Sequence, residues 1–156
     1  MISKEYLPPE IHVNELQSLI QLVSEIEAAP TGSAEARSLV KRFNATTGKN
    51  YAERDFREYY GAVDLKTFVK GAMLPYPGKF PDVPDAQFLA VLERLRHADC
   101  DEAEQGYWIR FLGTNLDCNE ITDIIYWSDD NPSDSEILAR ARARKRTVII
   151  PPPNEG

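Results

Sequence analysis

The chain is poor in the residues that most often do chemistry: 156 residues include only two cysteines and two histidines. Two thiols are too few to staple a small secreted domain, so Cys100 and Cys118 are expected reduced, in a cytoplasmic protein. A structural zinc needs four ligands in close pairs, and His97, Cys100 and Cys118 have only the distant His12 to complete a set. Buried, inert thiols are the simpler expectation. No apolar run approaches the roughly 18 residues of a membrane span, and the opening MISKEYLPPEIH lacks the apolar stretch of a secretion signal. A G-x-S-x-G elbow, a phosphate-binding loop and a G-x-G-x-x-G fingerprint are all missing, so no residue stands out as catalytic and no cofactor is implied. The expectation is a protein that binds rather than catalyses.

What is present is negative charge, unevenly placed. Residues 99–136 hold eleven Asp and Glu against Arg110 alone, a formal charge of −10, while the whole chain carries −7. Residues 1–98 are nearly balanced, and residues 137–156 carry five basic side chains against one acidic. This balance disfavours general binding to nucleic acid, whose phosphates call for Lys and Arg, and favours a basic protein partner.

The hydrophobic pattern is that of helices. Leu16, Leu19, Ile20, Val23 and Ile26 recur at spacings of three and four, with Asn14 and Gln17 in capping positions. Ser33 opens a second helix with Ala36, Leu39, Val40 and Phe43 inward, stopped at Gly48. Asn50 with Glu53 opens a short third, with Phe56, Tyr59 and Tyr60 inward and its end at Gly61. Asp64 opens a fourth through Leu65, Phe68, Val69 and Ala72. Pro75, Pro77, Gly78 and Pro81 then force a surface loop. Asp82-Val-Pro-Asp85 starts a fifth helix (Phe88, Leu89, Val91, Leu92, Leu95) and Asp99 with Glu102 a sixth (Tyr107, Trp108, Phe111, Leu112). A seventh runs from Asn119 through Ile121, Ile124 and Ile125, and Ser133 with Glu136 caps the last, which ends in the arginine-rich run to Arg146. Residues 1–13 read as an extended lead-in and Val148–Ile150 as a short extended segment. The expected fold is all-α: a single compact domain over 1–150 with about seven or eight helices, and a disordered Pro-rich tail over 151–156.

The acidic stretch invites a metal, but EF-hand loops starting at Asp99 or Asp129 put Glu104 or Asp134 where glycine is needed and Arg110 or Arg140 where the final glutamate belongs. No metal site is expected. Carboxylate clusters are more often solvated faces. The run Arg140, Arg142, Arg144, Lys145, Arg146 fits a solvated helix end, a nucleic-acid tail, or internal pairing with the acidic stretch. Trp108 fits the core. Tyr126 and Trp127, just before Ser128-Asp-Asp-Asn-Pro132, fit either the core or an exposed aromatic anchor with an electrostatic rim. The candidate partner-binding residues are therefore Asp99, Asp101, Glu102, Glu104, Asp123, Tyr126, Trp127, Asp129, Asp130 and Asp134.

The segment from Asn119 to Trp127 (NEITDIIYW), followed by Ser135-Glu-Ile-Leu-Ala139 and the apolar Val148–Ile150, resembles small bacterial immunity proteins of the bacteriocin and contact-dependent-toxin type. The likeness covers about a third of the chain, from Tyr107 onward, and departs from the family pattern where Ser128 follows Trp127 in place of proline. It implies a non-catalytic cytoplasmic inhibitor, monomeric or weakly dimeric, that neutralises a cognate toxin domain with a basic surface. A structural or regulatory adaptor, phage-derived, is the alternative.

Overall fold

The computed structural model describes residues 1–97 and 100–145, Lys145 by its backbone alone. The described residues are all-helical, with eight α-helices and no strand. Val148–Ile150, the tail 151–156 and Asp99, with the cap assigned to it, lie outside the described residues. Contacts group the chain into two compact units, one of residues 8–75 with 102–107, the other of residues 1–7, 76–101 and 108–156.

The first unit is built on α1 (Val13–Ala28), which packs against α2 (Ala34–Thr47), α3 (Glu53–Glu58) and α4 (Leu65–Met73). The stripe read from the sequence is the buried one: Leu16, Leu19, Val23 and Ile26 from α1 meet Ala36, Leu39, Val40 and Phe43 from α2. Leu22 joins them, although it lies off the predicted series. Phe43 meets Phe56 edge to face at 4.9 Å, and Tyr59 stacks on Phe68 at 4.6 Å, geometries that suit the ring quadrupoles.

Local chemistry explains most of the ends. Ser33 Oγ accepts from the Ala36 amide at 3.0 Å, and Asp64 Oδ1 accepts from Thr67 at 2.7 Å. Gly48 closes α2 in the left-handed region at φ 71°, where a side chain would be strained. Three expectations need correction. Helix α1 begins at Val13, with His12 at the cap making no side-chain bond, so Asn14 lies inside it. Helix α3 is capped from within, by Asp55 Oδ2 taking the Ala52 amide at 2.8 Å, rather than by Asn50 with Glu53. Glu53 instead accepts from Gly32 and Arg57. Tyr60 points outward at 72% exposure because residues 59–61 tighten into a 3-10 turn, which rotates it off the helical stripe.

The second unit holds α5 (Asp85–Arg96), most of α6 (Glu102–Leu116), α7 (Ile121–Tyr126) and α8 (Asp134–Lys145). Its core is Phe88, Val91, Leu92 and Leu95 with Trp108, Phe111, Leu112, Ile121, Ile124 and Ile137. The opening residues are not simply extended: Lys4–Tyr6 forms a 3-10 turn that buries Tyr6 against Phe80 and Phe111, at 4.9 and 5.4 Å. Helix α5 starts at Asp85 behind Pro84, while Asp82 takes φ 53° in the preceding turn. The cap of α8 is the reciprocal one expected, Glu136 N–H to Ser133 Oγ at 3.2 Å and Ser133 N–H to Glu136 Oε1 at 3.1 Å.

Candidate partner-binding surface

The acidic stretch is not one uniform surface. Among the described residues four of its carboxylates are ion-paired within their own unit, two with arginines that follow the stretch and two with basic residues that precede it. Arg140 forks onto Asp130, with the longer arm at 3.1 Å, and Arg144 reaches Glu120 at the start of α7. Arg142 takes Asp85, the first residue of α5, and its guanidinium lies 5.6 Å from the Phe88 ring. Arg96 takes Asp134 at 2.6 Å, and Lys79 holds both oxygens of Asp117 at 2.7 and 2.9 Å. Of the readings open for the arginine run, internal pairing with carboxylates is the one the fold adopts for Arg140, Arg142 and Arg144. The Arg140 hydrogen bonds hold the Asp130 carboxyl below its ordinary range, and Asp130 in turn raises Arg140. Glu136 is also held low, first by the Ser133 amide.

Asp99 lies outside the described residues, and the other nine candidates fall into distinct settings. Asp130 and Asp134 are already ion-paired. Asp101 is exposed, as is Glu102, and Glu104 is half-buried; Glu102 and Glu104 belong to the first unit and the other described candidates to the second. Asp123, Tyr126, Trp127 and Asp129 come together around the end of α7. Ile121 and Ile124 anchor that short helix in the core, so the residues at the opposite angle face out. Asp123 and Trp127 are four residues apart, hence neighbours on one face, and the Trp127 amide donates to the Asp123 carbonyl at 2.9 Å. Ser128 Oγ donates to the Ile124 carbonyl at 2.8 Å, which closes the turn leading to Asp129.

Trp127 is 76% exposed, against 0% for Trp108, and Tyr126 is 46% exposed. Partial burial of the Tyr126 hydroxyl raises its pKa, with a further push from Cys100. Asp123 and Asp129 are exposed and carry no ion pair among the described residues. The arrangement is a large apolar side chain held in water at the negative end of a short helix, with exposed carboxylates four positions before it and two after. Such a site attracts cationic groups and offers them apolar area to bury.

Tyr60 and Tyr76 are also exposed, Tyr60 against the expectation that it faces inward and Tyr76 on the proline-rich segment expected to be a surface loop. Among the described residues no three His, Cys, Asp or Glu side chains are placed to share a metal ion, and no helix is long and apolar enough to cross a membrane. Comparison with protein-family models, with curated proteins and with solved structures finds no match for this chain.

Proposed function

We propose that this chain is a non-catalytic inhibitor, of the immunity-protein kind, that neutralises a cognate toxin domain by covering a basic surface. Trp127 and Tyr126 would insert as apolar anchors, with Asp123 and Asp129 as the charged rim. The observation that carries the reading is Trp127, 76% exposed at the C-terminal cap of a helix whose Ile121 and Ile124 are fixed in the core. Trp127 and the adjacent Tyr126 expose two aromatic rings side by side, and interface energy concentrates in aromatic anchors of this type. Carboxylates left unpaired beside it would steer a basic partner and speed its association.

The test is co-expression with the product of the adjacent gene, scoring growth and co-purification. A neighbour that kills alone, is tolerated with this chain and elutes with it in a salt-sensitive complex supports the proposal. In that complex Trp127→Ala should weaken binding by about 30-fold, the effect of losing a hot spot of about 2 kcal/mol. Asp129→Lys should slow association more than it speeds dissociation. A harmless neighbour that does not bind removes the inhibitor reading, and self-association in sedimentation would then favour an adaptor.

A further inference from the structure

The second unit contains an open groove of about 890 Å3, and it shares no residue with the Trp127 surface. One wall is the loop carrying Tyr76, Pro77 and Lys79; another is the outer face of α6, with Ile109, Arg110, Gly113 and Thr114; the turn into α7 closes it with Asn119 and Thr122. The walls are tied together before any ligand arrives. Asn115 takes the Phe80 amide at 2.7 Å and gives its own amide to the Gly78 carbonyl at 3.1 Å, which fixes the loop to α6. The Cys118 amide donates to Gly113 O at 3.0 Å, and a Cβ at Gly113 would lie 3.4 Å from the Cys118 carbonyl, so glycine lets the turn lie close. Preformed concavities of this size are what small-molecule sites use.

The charge inside the groove has the opposite sign to its surroundings. Lys79 and Asp117 cancel one another. Arg110 remains, the one basic residue between 99 and 136, and it makes no ion pair among the described residues despite ten formal net negative charges along that stretch. Its guanidinium is held 4.3 Å from the centre of the Tyr76 ring. Stacking occupies a face of the guanidinium and leaves its N–H edge available, the geometry that suits an oxyanion. Thr114, Thr122 and Asn119 add neutral donors, while Ile109 and Ile121 add apolar wall.

We propose that this groove binds a small anionic ligand, a phosphate or carboxylate group on an apolar or planar body, with Arg110 as the anion-binding residue and Tyr76 as the positioning residue. The full chain would be titrated with inorganic pyrophosphate and, separately, with benzoate, with benzamide as the uncharged control, following proton–nitrogen correlation spectra. Saturable shifts confined to Arg110, Thr114, Asn119 and Thr122, with either anion and not with benzamide, are expected. Pyrophosphate alone would mark a phosphoryl ligand, benzoate alone a planar carboxylate. Arg110→Gln, at an exposed position, should weaken binding at least about tenfold, as expected for a lost charge-assisted hydrogen bond. Tyr76→Leu should weaken it less, and Lys41→Gln on α2 not at all. Shifts that fail to saturate, spread over the lysines and arginines generally, or persist in Arg110→Gln would overturn the proposal.

Discussion

Lys49 should be worth more to the first unit than its place in a loop suggests. Helix α4 ends at Met73, where its last carbonyls have no intrahelical donor. The half-buried Lys49 ammonium supplies one: Nζ donates to the carbonyls of Gly71, Ala72 and Leu74 at 3.3, 3.1 and 2.6 Å. The positive charge also sits at the negative end of the helix dipole, where it is favoured. Lys49→Met keeps most of the stem and removes the donors and the charge. A charge-assisted hydrogen bond is worth roughly 1.5–3 kcal/mol net, and water can replace the two longer bonds, so the loss should be about 2 kcal/mol. For a chain of this length that is a fall in Tm of about 4–8 °C. Thermal unfolding followed by helical circular dichroism measures it, and Lys49→Arg, which keeps charge and donors, should recover part of the loss. Less than about 0.5 kcal/mol lost in Lys49→Met, the range of an ordinary surface change, would refute the claim that this side chain holds the end of α4.

Two further predictions concern ionisation and pairing. Tyr59 donates to Glu27 Oε1 at 3.0 Å, and burial, then that carboxylate, push its pKa up to about 12. A raised folded pKa means stability that is complete below the unfolded value near 10 and is lost as pH rises from there through about 12. Tyr59→Phe should flatten that part of the stability–pH curve, and an ultraviolet titration that finds every tyrosine ionising near its ordinary pKa would contradict it. The Arg96–Asp134 pair is half-buried and 2.6 Å long, so a double-mutant cycle with Arg96→Ala and Asp134→Ala should give a coupling of about 1 kcal/mol. A coupling indistinguishable from zero would show that the pair is decoration on the α8 contact.

Much of the fold was legible in the sequence because the signals are local. Ser33, Asp64 and Ser133 cap their helices through bonds that span three residues, and the stripes Leu16–Ile26 and Ala36–Phe43 bury as their periodicity requires. What was illegible depends on residues far apart in the chain. The reach from Arg142 to Asp85 spans 57 positions, and nothing at either position announces the other. The run of arginines therefore left three readings open, and only the packing of α8 against α5 and α7 selects internal pairing. The same limit applied to the site. Spacing placed Trp108 in the core but could not decide Trp127, because α7 has only six residues and its buried face is set by Ile121 and Ile124. Arg110 was counted as a lone cation against an acidic background, and its stacking on Tyr76 depends on a proline-rich loop whose path no periodicity encodes.

The charge around Trp127 can be tested without any partner, because one of the two tryptophans is inaccessible. Trp108 is fully buried and should resist any soluble quencher, so ionic quenching reports on Trp127. A unit charge about 7 Å from a carboxylate in water is attracted or repelled by roughly 0.6 kcal/mol, and two carboxylates give about 1 kcal/mol. That amounts to about fivefold enrichment of a cation and a similar depletion of an anion at the ring. Caesium should therefore gain quenching efficiency, relative to its efficiency on free tryptophan, and iodide should lose it. The difference should shrink as the ionic strength rises from about 0.01 M to 1 M, where the screening length falls from roughly 30 Å to 3 Å. The net charge of the chain contributes a background, so the discriminating variant is Asp123→Asn with Asp129→Asn, which leaves −5 on the molecule and should abolish most of the asymmetry. Were the bias only a consequence of overall charge, it would fall by about two-sevenths, in proportion to the net charge. A large drop places the field at the end of α7, where a basic surface would feel it; a proportional one removes the electrostatic half of the argument for this face and leaves the exposed ring to stand alone.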